Sequence, residues 1–165
     1  MNRPTLTHIT STLGQNKGGL VKLQLCPIEW LNGDPALNPE TLVVDEGITL
    51  QPELGLITIY CQAESLDYSE KLKESAAGTY FEATARGIIN LDESAKSLQL
   101  DTLRLHRLLV IMPDKNNRTR IIGNTGLGMT LKYDMEIEPD TAGKSSYSFT
   151  LTALLEHPAP FYTAA

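Results

Sequence analysis

The sequence predicts a mainly β domain of α+β type: an antiparallel β-sandwich or barrel of about seven to ten strands with one flanking helix. Near the C-terminus two long runs alternate apolar and polar residues with the period of two that a half-buried strand requires. Only one stretch, about 90–107, carries the spacing of an amphipathic helix. Between the remaining apolar runs stand Gly, Pro and Asn at turn positions.

In the first of the two long runs Met129, Leu131, Tyr133, Met135 and Ile137 alternate with Thr130, Lys132, Asp134, Glu136 and Glu138. One face is therefore expected dry and the other wet. In the second, Ser145 to Leu155, the residues Tyr147, Phe149, Leu151 and Ala153 alternate with Ser146, Ser148, Thr150 and Thr152. The polar connection Pro139 to Lys144 joins them into an expected antiparallel hairpin that buries Leu131, Tyr133, Met135, Phe149 and Leu151.

Residues 1–19 are rich in Thr, Ser and Asn and end on Gly18-Gly19, which fits an arm ordered by a partner or a plain disordered tail. Residues 20–165 form the single β-rich domain. Leu20 to Leu25 is its first strand, ended by Pro27, and Ile28 to Glu40 is a turn-rich loop with the only Trp, Trp30. Leu42 to Val44 and Ile48 to Leu50 flank the turn Asp45-Glu46-Gly47, and Leu56 to Cys61 follows. Leu66 to Leu72 alternates only roughly, so a strand and a helical turn both fit. Thr79 to Ile89 is a long strand with Tyr80, Glu82, Thr84, Arg86 and Ile88 on one side, and Gly87 marks a bulge or a close backbone approach.

The helix begins at Asn90, spaced to Glu93 as in a capping box, and runs to Arg107 with Leu91, Ala95, Leu98, Thr102 and Leu105 sharing a face that Leu103 widens. Leu108 to Met112 and Arg118 to Ile122 then make a hairpin around Asp114 to Asn117. The closing His157 to Tyr162 contains Pro158 and Pro160, whose missing donors place it outside a sheet interior.

Composition narrows the function. With 41% hydrophobic and 21% charged residues, the 165-residue chain can form a packed core without staples. A net charge of -6 argues against a broad nucleic-acid surface, because phosphate binding rests on clustered Lys and Arg. The only basic clusters are Arg104 to Arg107, read as the solvated side of the helix, and Lys115 to Arg120, read as a turn. Cys26 and Cys61 end apolar runs and are expected as reduced, structural thiols. Met1 to Leu13 lacks the apolar stretch of a signal peptide, and no segment approaches the ~20 apolar residues of a membrane span, so a cytoplasmic protein is expected.

No motif points to catalysis or to a cofactor. Gly123-Asn124-Thr125-Gly126-Leu127-Gly128 is followed by a strand and not by a helix, so it reads as a structural turn and not as a phosphate loop. His8, His106 and His157 lack metal-ligand spacing, and no nucleophile elbow is present. The row Asp134, Glu136 and Glu138 reads as a solvated sheet face or as an acidic surface turned toward something that must not stick.

Gly78-Thr79-Tyr80-Phe81-Glu82 opens a strand ending in Arg86-Gly87-Ile88-Ile89; the helix, the hairpin with Arg120-Ile121-Ile122-Gly123 and the closing His157-Pro158-Ala159-Pro160-Phe161-Tyr162 follow. In this order of elements, over Gly78 to Tyr162, the chain resembles the small structural proteins encoded in tail modules of phages and prophages of Bacteroides-like hosts. The resemblance implies a tail-tube-like subunit, assembled in the host cytoplasm and stacked as rings around a channel. Its partners would be copies of itself and other tail proteins, with DNA passing unbound and no membrane involved. The assembly interface is then expected at Gly18 and Gly19 of the arm, at Trp30, and at the hairpin tip with Asp140, Gly143 and Lys144. Asp134, Glu136 and Glu138 would form an acidic channel face. The alternative is a monomeric ligand- or carbohydrate-binding β module in which Trp30, Tyr60, Tyr68 and Tyr80 supply stacking platforms.

Overall fold

A computed structural model describes residues 19–20, 22–90, 94–139 and 145–164. The arm up to Gly18, Glu93 of the expected Asn90–Glu93 capping box and the hairpin-tip residues Asp140, Gly143 and Lys144 lie outside the described residues.

The elements are β1 (Leu23–Pro27), β2 (Leu37–Asn38), β3 (Val43–Val44), β4 (Ile57–Ile59), β5 (Asp67–Ser75) and β6 (Gly78–Asn90). They continue with α1 (Ser94–Leu103), β7 (Arg107–Pro113), β8 (Thr119–Ile122), β9 (Met129–Ile137), β10 (Ser145–Leu155) and β11 (Phe161–Tyr162). The protein is mainly β with one α-helix. Four long strands form an antiparallel sheet in the order β9-β10-β6-β5. A second antiparallel group runs β8-β7-β1-β4. The two groups meet at a corner: β8 and β9 lie end to end along one edge of β7, with Met112 opposite Arg120 and Leu108 opposite Met129, and residues 123–128 are looped out between them.

The main core fills the space between the groups. Leu23, Leu25, Leu108, Val110 and Met112 meet Ala83, Ala85, Tyr147, Phe149 and Leu151 there. On the opposite face of β7, Leu109 and Ile111 join Cys26, Leu31, Val44 and Ile121 in a second cluster, against which Trp30 and Leu50 lie partly buried. Burial on both faces explains why Leu108–Met112 is an unbroken apolar run while β9 and β10 alternate.

Several expectations need correction. The eleven strands among the described residues exceed the expected number because β2, β3 and β11 are two-residue pairings in the cover of the second cluster. Leu66 to Leu72 resolves as the start of β5, held along its whole length by β6. Ile48 to Leu50 forms no strand beyond one bridge between Leu31 and Leu50. The helix is shorter than expected and its buried face is shifted: of the expected stripe Leu103 is buried, with Leu100 beside it, whereas Leu98 is 69% exposed and Leu105, past the helix end, 68%. The Ser97 hydroxyl, hydrogen-bonded to that of Tyr147, fixes this orientation.

Met135, expected in the core, is 48% exposed, because β9 runs past the last strand of the opposing group. Tyr133 is only partly buried, while Leu131, Phe149 and Leu151 are buried as expected. The tail re-enters the sheet as β11, between β8 and a parallel partner, β3. This is possible because the donors that the pairing needs, Phe161 N to Leu42 O and Thr163 N to Val44 O, follow the prolines.

Candidate functional site

Among the described residues, the four-stranded sheet ends in two unpaired edges. One straight row crosses that sheet from Leu131 through Leu151 and Ala85 to Tyr68. Beyond the row β9 continues to Ile137 in one direction, and β5 continues to Ser75 in the other. Among the described residues, β9 pairs from Leu131 onward only with β10, and β5 pairs only with β6. Because every intervening pairing is antiparallel, the two edge strands run in opposite senses.

A free edge presents unpaired N–H and C=O groups and is a template for another chain unless it is blunted. Neither strand contains proline. Charges do stand on both: Lys71 and Lys73 on β5, Asp134 and Glu136 on β9. Apolar side chains stand exposed beside them, Leu72 at 59% and Ile137 at 63%.

The face turned away from the core is set by the register. Asp67, Arg86, Thr150 and Lys132 form one row across it, and Lys71, Glu82 and Leu154 another. Asp134 and Glu136 are exposed on this face of β9, and Glu138 is exposed just past its end. The acidic row thus occupies one end of a face whose middle is rich in Ser and Thr. Three of the cations elsewhere on it have nearby carboxylates: Arg86 stands opposite Asp67, Lys71 opposite Glu82, and Lys73 Nζ lies 3.8 Å from Glu82, while Lys132 stands opposite Thr150.

The other sequence-predicted residues are dispersed. Gly19, at φ +96, accepts a hydrogen bond from Lys115 N at 3.2 Å and so sits beside the β7–β8 turn. Trp30 ends a short 3-10 turn and helps close the second cluster, and its carbonyl accepts from Gln51 N at 2.9 Å. The aromatic set Trp30, Tyr60, Tyr68 and Tyr80 is not one platform. Tyr68 pairs with the inward-facing Ala85, while Tyr80 pairs with Lys73 on the outer face.

The glycine loop is structural. Asn124 Oδ1 accepts from Gly126 N and Leu127 N at 2.8 and 2.7 Å, and Asp34 Oδ1 accepts from Thr125 N at 2.6 Å. That last bond holds the Asp34 carboxyl below its usual range. Cys26 belongs to the second cluster and Cys61 packs against the main one, both as free thiols whose pKa burial pushes up to about 11. Such thiols are poor nucleophiles at neutral pH. Among the described residues, no group of His, Cys, Asp and Glu stands close enough together to hold a metal ion.

Sequence reading missed the β5 edge. Its signal was present in the alternation of Asp67, Ser69, Lys71 and Lys73 with Tyr68, Glu70 and Leu72, but with so few apolar residues the pattern resembled a helical turn. Comparison of the chain with protein-family models, with curated proteins and with solved structures finds no match.

Proposed function

We propose that the protein is a structural subunit of a phage or phage-derived tail that assembles head to tail into rings or a tube. The observation that carries this reading is the four-stranded sheet ending in two long free edges of opposite sense. Joining β5 of one copy to β9 of the next continues an all-antiparallel sheet without reversing either chain. An interface between two different patches closes into a ring when the rotation per copy divides the circle, and closure removes the exposed edges.

The outer face of this sheet would then line the ring. It is rich in hydroxyl groups, its central cations stand near carboxylates, and Asp134 and Glu136 add acid at one end. A wall without an uncompensated row of Lys and Arg lets a polyanion such as DNA slide, since no counterion release holds it.

Sedimentation velocity over a hundredfold concentration range, followed by electron microscopy of the concentrated protein, tests the proposal. Rings or tubes are expected. A monomer at every concentration would overturn it and favour a binding module instead.

A further inference from the structure

Resting on the ring reading above, we infer that β5 of one copy pairs with β9 of the next in a single register, with Leu72 opposite Met135. In antiparallel pairing this places Lys71 opposite Glu136 and Lys73 opposite Asp134. The second copy is the occupant because the two edges match in three independent respects.

The first is length. The free part of β9 begins after Thr130, where β7 ceases to cover it, and the stated register matches 132–138 with 69–75. The strands are already staggered within the chain: β9 overshoots the common row at one end and β5 at the other. One more step of the same stagger brings the two overshooting halves together, as the tilted strands of a closed barrel require.

The second is apolar surface. Leu72 and Met135 stand on the core-side face of their strands and are 59% and 48% exposed. As cross-strand neighbours they cover each other, with Ile137 on the diagonal.

The third is charge. On the outer face the β5 edge is basic and the β9 edge acidic. Lys71, Asp134 and Glu136 form no ion pair among the described residues, and Lys73 reaches only Glu82, at 3.8 Å. Like-sign edges would repel and keep copies apart, whereas these attract. Charge and the length of the free strands together select the register. A slip of one residue would turn each strand's apolar face against the other's charges. A slip of two toward Tyr133 sets Lys73 opposite Lys132 and Asp67 opposite Glu138. A slip of two the other way sets Lys73 opposite Glu136, so charge alone does not disfavour it, but within β9 it matches only 134–137 with 72–75, against 132–137 with 70–75 in the stated register.

The test uses two full-length charge-reversed variants, Lys71→Glu with Lys73→Glu, and Asp134→Lys with Glu136→Lys. Each should keep the wild-type circular dichroism and stay folded, the lysine reversal with a modestly lower melting temperature because Lys71 and Lys73 both stand by Glu82, but need about tenfold or more higher concentration to assemble. An equimolar mixture should associate at the wild-type concentration, since alternating copies then present opposite charges at every joint of an open row or an even-numbered ring. Assembly of either variant at the wild-type concentration, or failure of the two folded variants to co-assemble, would overturn the pairing while leaving ring formation standing. Wild-type protein that never assembles would overturn both. Wild-type assembly that is indifferent to charge reversal but lost on deleting residues 1–18 would assign the edge to that segment instead.

Discussion

At Gly123 the backbone has φ +131, and a Cβ added there would lie 2.6 Å from Leu109 Cα, inside the fixed backbone of β7. Gly123→Ala is therefore strained twice, by conformation and by contact, and should cost at least ~1–3 kcal/mol in urea unfolding. The glycine spacing alone disclosed that a turn stands here. The reason for it was illegible, because Leu109 is remote in sequence and its approach depends on how β8 meets β7. A second residue-scale consequence concerns the thiols. Burial raises Cys26 from its ordinary 9.0 to about 11, so above pH 9 the unfolded chain loses a proton that the folded chain keeps. The stability from this group is fully present below pH 9 and is lost as pH rises toward 11. Cys61 behaves alike, and Tyr68, also raised, adds to the loss above pH 10. The stability gap between wild type and Cys26→Ala should shrink by on the order of 2 kcal/mol between pH 8 and 11, measured by denaturant titration at each pH.

The helix shows where periodicity underdetermines an element. The expected helical run over 90–107 offers Leu98 and Leu105 on one side, Leu100 on the other and Leu103 between them, so the spacing allows either side to face a core. The choice is made by tertiary contacts, namely the Ser97 bond to Tyr147 and the seat that Leu100 and Leu103 find in the main core. Leu100→Ala should accordingly lower stability by about 2–5 kcal/mol, and Leu98→Ala by no more than ~0.5 kcal/mol. Equal losses at the two positions would contradict the orientation of α1. The hairpin β9–β10 was legible residue by residue because each strand offers only one apolar face. What alternation could not reveal is how far the opposing layer extends, so the exposure of Met135 and Ile137 emerges only in the fold.

For the whole molecule the class of fold was legible and the junction of its layers was not. The corner is made by two pairings, Arg107 with Thr130 and Leu108 with Met129, and no composition signal marks them. That corner leaves the rest of β9 uncovered and so creates one of the two edges on which assembly is proposed to act. Amide hydrogen exchange can read those edges directly. In a strand with one partner, alternate N–H groups point away from the sheet, and these exchange rapidly when nothing accepts them. In dilute protein the outward amides of Ser69 to Ser75 and Lys132 to Ile137 should exchange fast, while those of β7, bonded to neighbours on both edges, should be slow. Raising the concentration through the assembly range should slow both edge segments together, because one joint uses a β5 and a β9, and should leave β7 unchanged. Slowing of only one segment would mean that copies meet edge to like edge, a two-fold contact that stops at a dimer and cannot build a ring.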